Sequence, residues 1–278
     1  MDLNEIFLVV VLYKTSLEDS KTINSLASNL EEEVNLFVFD NSPTRQYESD
    51  NFNYKNFKIK YYHDFTNPGL STAYNYALDL ATKSEFSWLL LLDQDTTFTK
   101  SFIQDIEGLE IETFPSSIVA ILPKVISESN GQMISPTKMY PGGVCRPVNV
   151  EPGQVIAAIS GINSGTMLRV SYMNSINGFS EKYTLDMLDH WYFRKIFDDK
   201  KSVYVLPSHI IQDLSVFGNF EENVSFARYK EMLKLELLFI EDEGVISQFI
   251  FKVRLICRIL KQLKFKNKDY YKFTMSQL

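Results

Sequence analysis

The sequence predicts an α/β fold with a mostly parallel sheet covered by helices on both faces. Three observations carry this. Apolar runs of strand length recur at Ile6 to Leu12, Val34 to Phe39 and Phe86 to Leu92. Segments with helical apolar spacing lie between them, and the connections are short. Continuous apolar runs suit strands buried on both faces, as parallel strands are.

The elements follow in order. Ile6 to Leu12 reads as a buried strand, and Leu17 to Leu30 has helical spacing through Ile23, Leu26 and Leu30. Val34 to Phe39 is a second strand, stopped by the turn signal Asp40-Asn41-Ser42-Pro43. Phe57 to Tyr62 alternates and reads as a third, and Asn67-Pro68-Gly69 then breaks the chain. Leu70, Ala73, Tyr74, Ala77, Leu78 and Ala81 form one apolar face of a helix. Phe86 to Leu92 is a fourth strand, and Thr96 and Thr97 could cap a helix starting near Lys100. Ser116 to Val125 holds another short strand. Residues 127–153 are rich in Gly, Pro, Ser and Asn and predict a long surface loop. Val155 to Leu168 predicts one or two strands around Ser160-Gly161 and Ser164-Gly165, and Val203 to Leu206 a late one. From Phe220 onward the pattern is helical. The expected division is a main domain over residues 1–217 and a basic, amphipathic helical extension over 218–278.

Composition sets bounds. At 278 residues, with 45% hydrophobic and 23% charged residues, the chain can bury a sizeable core. Cys145 and Cys257 lie far apart and form no metal-type cluster, which predicts a reduced, cytosolic setting. Ile6 to Tyr13 is too short, and too poor in basic flanks, for a signal peptide. No apolar stretch approaches the ~18 residues of a membrane span. From Lys252 onward there are eight basic residues against Asp269 alone, so a tail near +7 follows a body near −14 within the net −7. That acidic body argues against nucleic acid as a partner.

The chemistry concentrates at Trp88-Leu89-Leu90-Leu91-Leu92-Asp93-Gln94-Asp95. A buried strand ending in Asp-Gln-Asp delivers two carboxylates to the carboxyl edge of a sheet, where open α/β sheets bind ligands. Alternation would send Asp93 and Asp95 to the same side. Two such carboxylates repel unless a cation lies between them or one takes a proton. A hard divalent cation on a diphosphate answers that need. The competing reading is that these acids are turn residues or helix caps.

Several segments then line up in chain order: Val9 to Tyr13, Val38-Phe39-Asp40-Asn41-Ser42, Asn67 to Asn75, Leu91 to Asp95, Asn163 to Leu168, and Asn177 to Glu181 running on to Leu185 to Asp189. Over residues 5–217 this order resembles inverting family 2 glycosyltransferases of the GT-A fold. Asp-Gln-Asp resembles their rhamnosyltransferase-like branch. The resemblance implies a Rossmann-like, mostly parallel mixed sheet and transfer of a sugar from a nucleotide donor with inversion. By the same resemblance, Asp40 binds the donor base, Tyr13 borders that pocket, and Asn67 and Gly69 admit the nucleotide to the backbone. Asn75 points at donor oxygens or at water. Asp93 and Asp95 hold the nucleotide and Mg²⁺ or Mn²⁺. Asp189 is the general base, with Asp186 beside it; one of the two could instead cap the helix that carries Trp191. Trp191 and Tyr192 could stack on an acceptor sugar or simply pack in the core.

The chain departs from the family in two places. His190-Trp191-Tyr192-Phe193-Arg194 stands where relatives carry an acidic residue soon after the second Asp, near a distal Arg. Gln212-Asp213-Leu214-Ser215 stands where relatives place a metal-binding His, so Gln212 is expected as a weaker ligand, with His209 as a substitute.

The implied activity is transfer of L-rhamnose from dTDP-rhamnose to a lipid-linked or polymeric saccharide in surface polysaccharide synthesis. Alternatives are a UDP-hexose or UDP-galactofuranose donor, or a non-catalytic sugar-nucleotide- or glycan-binding relative. A dinucleotide enzyme would need Gly-x-Gly-x-x-Gly after the first strand, where Tyr13-Lys14-Thr15-Ser16 stands. Val245 to Lys272 has apolar residues at helical spacing with Lys and Arg between, which fits an anionic membrane surface; the alternatives are a helix packed on the domain or a homodimer partner, with a solvated basic face. The expected location is cytoplasmic, peripheral on the inner membrane face.

Overall fold

The computed structural model describes residues 2–212 and 220–278. From the N-terminus run β1 (Ile6–Leu12), α1 (Lys21–Asn29), β2 (Val34–Asp40), β3 (Asn51–Tyr54), β4 (Phe57–His63), α2 (Leu70–Lys83), β5 (Trp88–Asp93), α3 (Lys100–Glu107) and β6 (Ile118–Ile126). Next come β7 (Met133–Ser135), β8 (Thr137–Tyr140), β9 (Val144–Pro147), β10 (Gly153–Val155), β11 (Met167–Arg169), α4 (Val170–Ser175), α5 (Leu188–Asp198) and β12 (Ser202–Ile211). The chain ends in α6 (Phe220–Asn223), α7 (Phe226–Glu241), α8 (Val245–Gln262) and α9 (Asp269–Met275).

The strands form one mixed sheet in the order β10-β12-β6-β11-β5-β1-β2-β4-β3, with β7 added alongside β6. β1 pairs in parallel with both β2 and β5, and β2 in parallel with β4. β11 runs antiparallel between β5 and β6. This is the GT-A arrangement that the sequence predicts.

Strand alternation divides the core in two. Leu8, Val10, Leu90 and Leu92 face the layer holding α1 and α3. Val9, Val11, Leu89 and Leu91 face the layer holding α2, α4 and α5. Tyr229 and Leu233 of α7 and Phe251 and Leu255 of α8 join that second layer, so the C-terminal helices share the sheet's core. The expected division at residue 217/218 lies outside the described residues.

Some expectations are corrected. The helix expected from Leu17 begins at Lys21, because Ser20 caps it through Ile23 N. The cap of α3 is Thr99, not Thr96 or Thr97; its hydroxyl accepts from Phe102 N. Thr96 is instead buried against Ser164, 2.7 Å between hydroxyls. β3 was not expected; it forms a hairpin with β4. Residues 127–153 are not a plain loop. β7 extends the sheet along β6, and β8 and β9 form a separate hairpin. Between Val155 and Leu168, by contrast, the chain is strand only at the end of β10 and the start of β11, with a single bridge at Ser160.

Candidate active site

The strand register builds the site. Leu12 stands opposite Asp40, and Val11 opposite Asp93, so the carboxyl ends of β1, β2 and β5 meet at one edge. From β1 the chain moves outward to β2 and β4 and then returns to β5 on the other side. The gap between β1 and β5 is therefore the topological switch point, where such sheets bind ligands.

Asp93 ends β5, half-buried, and Asp95 follows in a turn at the surface. The amide Nε2 of Gln212 donates to Oδ2 of Asp93 at 3.3 Å and to Oδ1 of Asp95 at 3.0 Å. The two carboxylates thus share one pocket, joined by a residue from beyond β12. Burial, and then the charge of Asp95, push Asp93 up to about 7. Asp189 adds to that push, while bonds from Gln212 and Tyr74 oppose it. Burial also raises Asp95. Ser164 supports the turn: it is buried and its hydroxyl accepts from Asp93 N at 3.2 Å.

These residues fit a hard cation. Gln212 is 5% exposed, and its Oε1 has no hydrogen-bond partner. An amide turned over exchanges Oε1 for Nε2 and would place an oxygen toward both carboxylates. Among the described residues no group of three or more His, Cys, Asp or Glu is arranged to hold a metal. Two carboxylates and an amide oxygen are the donor set, which suits an ion that completes its shell with phosphate and water. His209, the expected substitute, is exposed on β12 and takes no part. Asp213, Leu214 and Ser215 lie outside the described residues.

Tyr13 stands at the rim, 41% exposed. Its backbone N–H donates to Gln94 Oε1 at 2.8 Å, so the middle residue of Asp-Gln-Asp ties β5 to the end of β1. Asp40 is fully buried. Its Oδ1 accepts from Ser42 N at 2.8 Å; its Oδ2 accepts from Tyr61 Oη at 2.5 Å and Gln46 Nε2 at 3.1 Å. Both Asp40 oxygens are thus bonded within the chain, and the residue caps the turn after β2.

Three residues expected at the nucleotide also make contacts within the chain. Gly69 has φ +96°, and a Cβ there would meet Thr184 O at 2.4 Å. The close backbone approach is to the chain's own residue 184, whose carbonyl also accepts from Leu70 N at 2.6 Å. Asn67, exposed with φ +50°, shapes the turn before it. Asn75 binds residue 179 at both ends: Nδ2 donates to Phe179 O at 2.9 Å, and Oδ1 accepts from Phe179 N at 2.7 Å. Both ends of its amide bond that backbone. Gly69 and Asn75 therefore fasten α2 to residues 178–184, which lead directly to the acidic pair.

That pair divides. Asp186 precedes α5 and is held by both guanidinium nitrogens of Arg228, Nη2 at 2.5 Å from Oδ1. That ion pair commits both oxygens of Asp186 to Arg228. Neither Asp caps α5: the N-cap is Met187, left-handed at φ +66°, with no side-chain cap. Asp189 lies in the first turn, and its Oδ1 accepts from His190 N at 2.7 Å. Burial raises its pKa although His190 pulls it down. The charge of Asp189 adds to the rise of Asp93, after burial and the charge of Asp95. Tyr192 is buried in the core with Trp191 packed beside it, so Tyr192 offers no stacking face.

Sequence reasoning missed Arg228, Tyr74 and His190. His190 Nδ1 bonds Ser160 Oγ at 2.7 Å, and Nε2 lies 3.6 Å from Cys145 Sγ. Burial alone would lower His190, but Asp189 and Cys145 lift it to about 9. Its place beside Asp189 in the sequence was the available signal. Arg228 gave none, because its partner lies 42 residues away.

An α/β sheet whose switch point carries paired acids belongs to the class that binds its ligand at that edge. The profile described as Glycosyl transferase family 2 matches residues 9–154, and the chain belongs to that family. TarS 1–349 from S. aureus superposes with TM-score 0.51 at 17% identity, over 88% of this chain and 68% of that one. Against the longer TarS structure the chain spans 45% of its length. GalNAc-T7, solved with UDP, GalNAc and Mn²⁺, gives TM-score 0.51 at 12% identity, over 99% of this chain and 55% of that one. Both likenesses are of fold. No curated protein sequence matches the chain.

Proposed function

We propose that this family 2 glycosyltransferase transfers L-rhamnose from dTDP-rhamnose, with inversion, to a hydroxyl of a lipid-linked or polymeric saccharide, using Mg²⁺ or Mn²⁺. One observation carries the mechanism. Asp93 and Asp95 are joined through Gln212 at the sheet edge, and Asp189 is near enough to raise Asp93. Asp93, Asp95 and Gln212 Oε1 would hold the cation, which neutralises charge developing on the departing diphosphate. The acceptor oxygen attacks the anomeric carbon as its proton passes to Asp189. The bond to the nucleoside diphosphate breaks, and its electron pair leaves with the phosphate oxygen. The raised pKa of Asp189 suits it to take that proton. Tyr13 borders the base pocket at the end of β1, and Asp40 shapes that pocket by fixing the turn at Ser42. The Asp-Gln-Asp sequence supports the rhamnose donor, and a lipid-linked acceptor supports work at the inner face of a membrane.

The test pairs two measurements. Asp189→Asn is expected to cut transfer by about 10³-fold or more while nucleotide-sugar stabilisation in thermal shift is unchanged. Stabilisation by dTDP-rhamnose with Mn²⁺, exceeding that by UDP-hexoses and UDP-galactofuranose, identifies the donor. No response to any nucleotide sugar overturns the reading.

A further inference from the structure

Among the described residues, nothing covers the outer face of α8. Val245 is 80% exposed, Phe249 68% and Leu260 60%, and Ile246, Val253 and Ile256 are also exposed. At about 100° per residue these six side chains share one stripe roughly 100° wide. The inner face is occupied, with Ser247, Phe251 and Leu255 buried. Exposed Lys252 flanks the stripe on one side, and exposed Lys261 and Lys264 on the other. No Asp or Glu occurs between Gly244 and Asp269.

We infer that this stripe lies on an anionic lipid surface, parallel to it. A long apolar stripe left in water, with lysines along both edges, fits the acyl boundary and headgroups of such a surface. Charge decides against a second copy. A two-fold interface is self-complementary, so it would set lysine edge against lysine edge with no carboxylate on the helix to pair them. Lipid phosphate supplies the missing negative charge. Among the described residues no helix is long and apolar enough to cross a membrane, so this one rests on the surface.

The same helix reaches toward the active site. Ser247 Oγ accepts from Gly142 N at 2.7 Å, and Arg254 donates to Gly142 O, fastening the turn of the β8–β9 hairpin to α8. That hairpin carries Cys145, which touches His190 beside Asp189. Docking would therefore hold the Asp189 end of the site near the lipid. The docking inference stands without the glycosyl-transfer reading, since vesicle binding needs no turnover.

The full chain is sedimented with phosphatidylcholine vesicles with and without phosphatidylglycerol, alongside Phe249→Glu/Ile256→Glu and Lys252→Glu/Lys261→Glu/Lys264→Glu. Wild type is expected to pellet with the anionic vesicles, less at high salt, and each variant to lose about tenfold in bound fraction with its melting temperature kept. Failure of wild type to pellet, equal binding to neutral vesicles, or full binding by the Phe249→Glu/Ile256→Glu variant overturns the inference. So does a wild-type dimer in analytical ultracentrifugation that this variant dissolves while vesicles go unbound.

Discussion

The amide nitrogen of Gln212 lies 3.0 Å from Oδ1 of Asp95, across 117 residues of sequence. It also reaches Asp93, so one neutral donor stands where two acids would otherwise face each other alone. Replacing it should expose their repulsion. Gln212→Ala is expected to lose about 1–3 kcal/mol of stability at pH 8, read from urea denaturation. Added Mn²⁺ should restore much of that loss; no destabilisation would show that the bridge contributes nothing.

Asp93 makes stability depend on pH. Its folded value, about 7, lies above the ordinary carboxylate value of 3.8. The folded chain then binds more protons than the unfolded one between those limits. Stability contributed at this residue is therefore greatest at low pH, falls as pH rises through the window, and levels off above pH ~7. Asp93→Asn should flatten that slope and gain on the order of 2–4 kcal/mol at pH 8, with little change near pH 4. Parallel urea titrations across pH check this, and an unchanged slope refutes it. Cation binding should strengthen over the same rise, because the proton must leave first.

Gly69 admits the residue 184 carbonyl to the start of α2. Gly69→Ala combines an unfavourable φ with a backbone clash and should cost about 2–4 kcal/mol. The residues displaced lead to Asp189, so turnover should fall further than nucleotide binding does. Thermal melts and donor titration on the same variant separate the two effects.

Asn75 and Asp186 are predicted to be structural. Asn75→Ala frees both backbone groups of Phe179 and should cost about 2–3 kcal/mol, while the donor KM of the folded enzyme stays as in wild type. A donor KM raised tenfold would return Asn75 to the nucleotide. Asp186→Asn should keep most of its turnover, in contrast to Asp189→Asn. Equal losses in steady-state assays would mean that the acids act as a unit.

Local pattern made much of the architecture legible. β1, β2, β5 and α2 follow apolar periods of two and 3.6 residues, and each lies close to its expected place. Short strands were not legible. β7 exists because β6 offers it an edge, and its three residues carry no period of their own. In the site, the acidic edge could be read because a buried strand has to emerge somewhere, and here it emerges at Asp93.

The sequence by itself determined the longer strands, the main helices and the carboxyl edge where acids collect, since these depend on neighbours within a few residues. Tertiary structure decided which polar groups were left for chemistry. Asp186 went to Arg228, Asn75 to Phe179, Gly69 to Thr184 and Asp40 to Tyr61, each partner brought from far along the chain or from an adjoining strand. Hydrogen bonds and charges are satisfied by whatever the fold places within about 3 Å, and no local pattern specifies that neighbour. Asp93 and Asp95 are the acids that this pairing left at the sheet edge, with Gln212 between them.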